Sequence, residues 1–555
     1  MRAQAGGRPA GASVPVSPAG LRQHHHIAAV PAPASRCLRP VRRCDAEGHS
    51  ALRQLGSRTA FAGGWSRPWD VRLDGIVSEP DDVLDGILFQ LTMDVVREMD
   101  ALAAEYLARD GYKYVPKRRR RAVMAYESGW PNVGSEIGAK ETDTIAYGEL
   151  FAGARDAIHP FAYEELEAMA SLVAYVNDTP DLLQRVRPAV RAGAPADLVK
   201  SMIDITIRGL PTGIFDRAKA LDVEIEGPGL VDLYRQRERS WLAPELAYEL
   251  VVPLVLTSLE LQETFEVDDR SRIEVLSDDD LRAMARDYDV SGVPGPVADA
   301  ARFAVVVDMP PMANPGEGRR FFRHDEAPET AGVEVICEAL RIVSSADTGW
   351  ARVFRRPLGW AERWTDALPS YSLLQTTRRY PSAFDNFGWL RSGMTVTRRE
   401  LEGVPAVTQA LGSADKQVRL ASRRLSTAVV RDAADDQLVD ACIGLEALLG
   451  QKGAELSFRI AVRAAALLSS RVEAPVSAER VFRMARAVYD RRSEIVHGST
   501  SERRAFFPVP GAEAIPTSDL AVWLLRQVLQ ERLLRGDHWS VEDLDELVLQ
   551  RLGPA

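Results

Sequence analysis

Apolar residues recur at helical spacing from Asp82 to about Leu107, where Val83, Ile87, Leu88, Leu91, Val95 and Met99 share one side of a helix turning about 100° per residue. From Ala146 to about Arg239 the pattern predicts several shorter helices, with turns at Pro180 and Gly193-Ala194-Pro195. The period then changes. Leu250 to Leu256 is a strand-like apolar run with Pro253 inside it. Thr264 to Val267 and Ser271 to Val275 flank Asp268-Asp269-Arg270 and predict a hairpin. Ala304 to Asp308 predicts a strand closed by Pro310-Pro311, and Met394 to Thr397 a further one. Ser277 ahead of Asp278-Asp279-Asp280 predicts a helix N-cap with an acidic first turn, in preference to a metal cluster. Beyond Leu411-Gly412-Ser413 the helical period returns in long amphipathic stretches. These run from about Lys416 to Val430, Asp435 to Leu449, Glu455 to Ser470, Ser477 to Val496 and Thr517 to Leu534, with a last short helix from Ser540 to Leu552. Gly450 to Gly453, Pro475 and the Pro508 to Pro516 stretch separate them.

The pattern predicts an α+β protein that is mostly α, in four parts. Residues 1–80 are rich in Ala, Gly, Pro, Arg and Ser without a period, and are expected to be disordered. Residues 81–243 form a mainly helical region, 244–412 a mixed α/β region and candidate sensor, and 413–555 an all-α bundle.

With 46% hydrophobic and 27% charged residues, the 555-residue chain has a globular composition. Its net charge of −10 gives no global bias toward nucleic acid, so any RNA contact has to be local. Asp415 to Arg504 runs against the trend, with 16 lysines and arginines against 12 aspartates and glutamates. Cys37, Cys44, Cys337 and Cys442 make neither a disulfide framework nor a zinc spacing, and His24-His25-His26 reads as incidental. No metal or cofactor is expected: Walker-type, dinucleotide and serine-elbow motifs are missing from the sequence. No apolar run reaches membrane-spanning length and no secretory leader is evident, so a reducing cytoplasmic setting is expected.

Two stretches carry candidate chemistry. Lys117-Arg118-Arg119-Arg120-Arg121 lies near Tyr112, Tyr114 and Tyr126, and basic residues interleaved with aromatics can bind single-stranded nucleic acid. An exposed basic loop without a ligand is the plainer reading. The second stretch is Tyr489 to Gly498. There Arg492 falls near the middle of the apolar face made by Val481, Met484, Ala485, Val488, Ile495 and Val496, where a charge needs a partner. Glu446 and Asp490 are its candidate partners. Five residues on, His497 precedes Gly498, a common helix terminator, and can serve as a helix cap or as an acid/base group. Arg459 and Arg463, one turn apart, can reach a phosphate or pair with a carboxylate.

Arg492, four residues and His497 resemble the R-x4-H motif of HEPN domains. Together with Leu438 to Gly450 and Glu455 to Ala465, the stretch resembles the Apea-like HEPN family over residues 413 to 535. The resemblance implies a helical bundle that pairs as a homodimer, so that two Arg/His sets face one cleft and cut RNA without a metal. His497 would then do acid/base work and Arg492 would stabilise charge on the phosphate. The family's arginine-serine pair matches Arg492-Ser493 and selects Arg492 over Arg491. The implied setting is a bacterial anti-phage or toxin-like effector in the cytoplasm, released by an unknown phage or cellular trigger. Two alternatives stand beside it. In one the bundle is a non-catalytic dimerisation or nucleotide-binding scaffold. In the other the chain is an RNA-binding regulator using Lys117 to Arg121.

Overall fold

The chain divides into two units, residues 1–78 and 79–555. The computed structural model describes residues 83–552, apart from 136, 188–193, 286–292, 317–328, 451–454, 470–475, 499–503 and 535–538. The expected disordered tail at 1–80, with Cys37, Cys44 and the three histidines, lies outside the described residues.

The helical region opens with α1 (Gly86–Ala108), whose N-cap Asp85 accepts hydrogen bonds from the amides of Ile87 and Leu88. Its buried face, Leu88, Val95, Val96 and Met99, packs with α2 (Glu167–Asp178), α3 (Pro180–Val186), α4 (Ala196–Ala220) and α5 (Pro228–Leu242). Pro180 starts α3, where its missing amide costs nothing. Between α1 and α2 the described residues form short strand pairs and two 3-10 turns, Tyr147–Leu150 and Tyr163–Glu165. Lys117–Arg120 pairs antiparallel with Lys140–Ile145, and Val123–Ala125 with Pro131–Val133.

The mixed region holds a six-stranded antiparallel sheet. Its strands are β1 (Glu245–Val255), β2 (Phe265–Asp268), β3 (Ser271–Val275), β4 (Ala301–Ala313), β5 (Trp350–Pro357) and β6 (Ser372–Arg379). The spatial order is β6-β5-β1-β4-β3-β2. The β2–β3 hairpin is as expected, and the Asp268 carboxylate accepts from the Arg270 amide in its turn. Three prolines sit deeper in the sheet than their chemistry predicts. Pro253 lies in the central β1, where the ladder to β5 shifts register between the Leu254–Trp350 and Val251–Phe354 pairs. Pro310-Pro311 does not close β4; the strand continues through a shift between Met309 and Met312. Such irregularities remove the demand for the amide that proline lacks.

One face of the sheet is half apolar and half ionic. Val251, Ala304, Val306 and Phe354 pack with Leu281 and Met284. Beyond them Arg272 bonds Glu249 at 2.6 Å and Asp308 at 2.7 Å, while Arg356 bonds Glu249 at 2.7 Å and Glu274 at 2.8 Å. The other face is covered by α6 (Ala331–Val343).

The C-terminal helices are α7 (Val404–Ser413), α8 (Lys416–Val430), α9 (Ala434–Leu449), α10 (Leu456–Leu468), α11 (Ala478–Val496), α12 (Thr517–Leu534) and α13 (Val541–Leu552). Asp415 caps α8 by accepting from Gln417 and Val418. At the boundary expected at 413, α7 ends at Ser413 and α8 begins at Lys416, so helices lie on both sides of it. One apolar cluster joins Leu250, Val305 and Val353 of the sheet, Ile336 and Leu340 of α6, and Leu445 and Leu525 of the helices. No helix among the described residues is long and apolar enough to cross a membrane.

Candidate functional site

The 3.6-residue period of the helix puts Val481, Met484, Ala485, Val488 and Tyr489 on the buried side of α11. Arg491, not Arg492, completes that side and is 9% exposed. This corrects the expectation that Arg492 lies mid-face. Arg491 is tolerated there because its Nη2 bonds Asp435 Oδ1 at 2.9 Å and its Nη1 lies 3.5 Å from Glu494. Glu494 in turn lies 3.4 Å from Arg504.

Arg492 is half-buried at the edge of the same face. Its Nη2 is 3.3 Å from Glu446 Oε1 on α9, so Glu446 is its ion-pair partner, while Asp490 lies near Arg486 at 3.8 Å. The pair is imperfectly made. Arg492 Nε and Glu446 Oε1 are both buried without a hydrogen-bond partner among the described residues. Behind them, burial pushes the Cys442 thiol and the Tyr489 phenol up, the Glu446 charge adds to both shifts, and the Arg492 charge opposes them.

His497 is the C-cap of α11. Its amide bonds the Ser493 carbonyl at 3.1 Å, and Gly498 turns away at φ +71°. The imidazole is exposed, as are Ser493 and Val496. Five residues of helix amount to about 140° of net rotation and about 7.5 Å of rise. Arg492 and His497 therefore leave the helix on different sides, and a substrate bridging them must wrap around the end of α11.

The remaining arginines divide. Arg463 is 2% exposed, bonds Asp545 with two nitrogens at 2.7 and 2.8 Å, and donates to the Leu449 carbonyl at 2.7 Å. It ties α10 to α9 and α13, so of the two readings of Arg463 the carboxylate pairing is the one seen, with Asp545 as the partner. Arg459, one turn earlier, is exposed. The basic run is also corrected: it is a strand and not a loop. Arg118 is buried between Asp216 and Asp366, and Arg121 donates to the Ala285 carbonyl at 2.7 Å. Arg119 and Arg120 lie beside Glu141 and Asp279, and Lys117 donates to the Asp143 carbonyl.

Sequence reasoning missed Asp435, Glu494, Arg504 and Asp545. Glu494 was within reach of the i,i+3 rule from Arg491. Among the described residues, no group of three or more His, Cys, Asp or Glu side chains is placed to hold a metal ion.

No family model, curated protein or solved structure matches the chain. The HEPN resemblance rests on the three motif blocks alone.

Proposed function

We propose that the chain is a HEPN-type endoribonuclease that works without a metal and as a homodimer, with His497 and Arg492 in the reaction. The observation that carries this reading is the end of α11. An exposed imidazole sits there five residues after a half-buried guanidinium whose Nε has no hydrogen-bond partner among the described residues. The chemistry suits these groups. A ribose 2′-hydroxyl attacks the adjacent phosphorus and forms a bond to it as the bond to the 5′-oxygen breaks. Imidazole takes the 2′-proton or gives a proton to the leaving oxygen, since it titrates near neutral pH. Guanidinium stays charged and holds two phosphate oxygens as negative charge develops. The products are a 2′,3′-cyclic phosphate and a 5′-hydroxyl. The anti-phage or toxin-like setting, the cytoplasmic location and a trigger sensed by residues 244–412 belong to the same proposal.

The Arg492–Glu446 pair favours a second reading, a non-catalytic scaffold in which these residues tie α11 to α9. Cleavage of RNA in the presence of EDTA separates the two. The ribonuclease reading predicts that His497→Ala slows cleavage by about 10²–10⁴-fold and Arg492→Ala by about 10²–10³-fold. Both variants should melt within about 1 kcal/mol of wild type, because the ion pair is partly exposed. An inert wild type together with an Arg492→Ala variant that unfolds early would establish the scaffold instead.

A further inference from the structure

The loop that follows β6, residues 380–394, is anchored on one side and displayed on the other. Tyr380 is 1% exposed, packs beside Trp130 and Leu256, stacks on Phe384 at 6.0 Å and donates its hydroxyl to Asp385 at 2.8 Å. The Arg391 carbonyl accepts from the Trp130 indole at 2.8 Å, and the Trp389 carbonyl from the Ser128 hydroxyl. A Cβ on Gly388 would stand 2.9 Å from the Leu256 side chain, and one on Gly393 2.9 Å from the Trp130 ring. The backbone is thus seated against the core. Yet Phe387 is 63% and Leu390 57% exposed, and the Arg391 side chain is exposed beside them. Phe387 also has φ +56°, a left-handed conformation that is costly for a bulky residue. Leu256, beneath Gly388, is left-handed as well at φ +49°. Phe387 thus joins a costly backbone conformation to an exposed ring on a firmly seated loop, and that combination singles the loop out as a candidate ligand surface.

The charge of this segment selects the ligand. Residues 378–400 hold five arginines against one aspartate and one glutamate, in a chain of net charge −10. Arg378 is engaged by Asp385 and Asp432, Arg398 lies 3.7 Å from Glu402, and the adjoining turn adds Glu127. Arg379 and Arg391 flank the loop, and the Phe387 ring lies 5.4 Å from that of Trp389. Flat rings beside arginines match bases beside phosphates. We propose that Phe387, Trp389, Leu390 and Arg391 form a stacking platform for single-stranded RNA, with a base on Phe387 and a phosphate on Arg391. The choice of RNA over DNA rests on the ribonuclease reading; the platform itself does not.

The test is fluorescence anisotropy with a labelled 20-nucleotide oligouridylate, in a His497→Ala background that blocks cleavage. Phe387→Ala should weaken binding at least about fivefold, and Phe387→Trp should restore it. Arg391→Ala should weaken binding and flatten its salt dependence by about 0.7 in the log–log slope. Thermal melts should show all variants folded. Unchanged affinity in Phe387→Ala and Arg391→Ala, or no oligouridylate binding at all, overturns the platform. So does binding to anionic phospholipid vesicles in place of RNA, since exposed aromatics beside arginines also suit a membrane surface. Cleavage by the His497-intact protein is scored separately. Cleavage with no role for Phe387 sinks the platform alone, and Phe387-dependent binding by an inert protein whose Arg492→Ala variant unfolds early sinks the ribonuclease reading alone.

Discussion

Arg459 and Arg463 are one turn apart on α10, yet one is exposed and the other is among the most buried side chains of the chain. The difference is Asp545, which bonds the Arg463 guanidinium bidentately from α13 and is itself half-exposed. The two partners are therefore unequal. Removing the carboxylate strands a buried cation, whereas removing the arginine leaves a carboxylate that water can solvate. Asp545→Ala should destabilise by about 3 kcal/mol in urea titrations, and Arg463→Met by clearly less. The hydrogen bonds and charge of Arg463 hold the Asp545 carboxyl below its ordinary value. Its contribution is complete above the unfolded-state value of about 3.9 and is lost as pH falls through the lower folded value. Equal and small losses in the two variants, with the same acid limb as wild type, would contradict this. The sequence shows the arginines but not this distinction. The deciding carboxylates lie 82 residues from Arg463 and 56 from Arg491, beyond any spacing rule. The same limit explains why Arg492 was placed on the buried face: neighbouring positions on a broad apolar arc cannot be ranked until the packing partner is known.

At the scale of elements, capping and period made the C-terminal helices legible. Asp415 and Ser477 cap α8 and α11 where the pattern starts them. The sheet was less legible. β5 reads Trp-Ala-Arg-Val-Phe-Arg-Arg-Pro, and its three arginines break the apolar run although all are buried. Their carboxylate partners Asp299, Glu362, Glu249 and Glu274 come from elsewhere in the chain. A helix can also be read correctly while its packing is missed. Gly444 lies inside α9, where helix propensity favours alanine by about 1 kcal/mol. A Cβ there would stand 2.6 Å from the Leu525 side chain of α12. Gly444→Ala should therefore destabilise on balance, by about 1–2 kcal/mol from overpacking less the propensity gain. A rise in melting temperature would show that α9 and α12 are not so closely seated.

For the molecule as a whole, the α+β character and the order of helical, mixed and helical stretches were legible. The shared core was not, because contiguity between sheet and helices is set by tertiary packing that no local pattern records. α6 is the joint: it covers the sheet and meets the C-terminal helices, with Arg526 of α12 donating to the Arg341 carbonyl at 2.7 Å and Gln530 to that of Ile342. The end of α11 and the displayed loop thus belong to one body, and the loop's anchors reach the sheet through Leu256. A continuous core connects the region ahead of α8 to α11, and the proposed sensing by residues 244–412 would act through that contact.

In the proposed reaction His497 assists attack by a ribose 2′-hydroxyl. This role is tested most directly with a DNA oligonucleotide carrying one ribonucleotide, incubated with the full chain in EDTA. The expected result is a single cut after that ribonucleotide, a 2′,3′-cyclic phosphate on the upstream product, and loss of the cut in His497→Ala. Cleavage at deoxynucleotide positions, a 5′-phosphate product, or an undiminished cut in His497→Ala would contradict it.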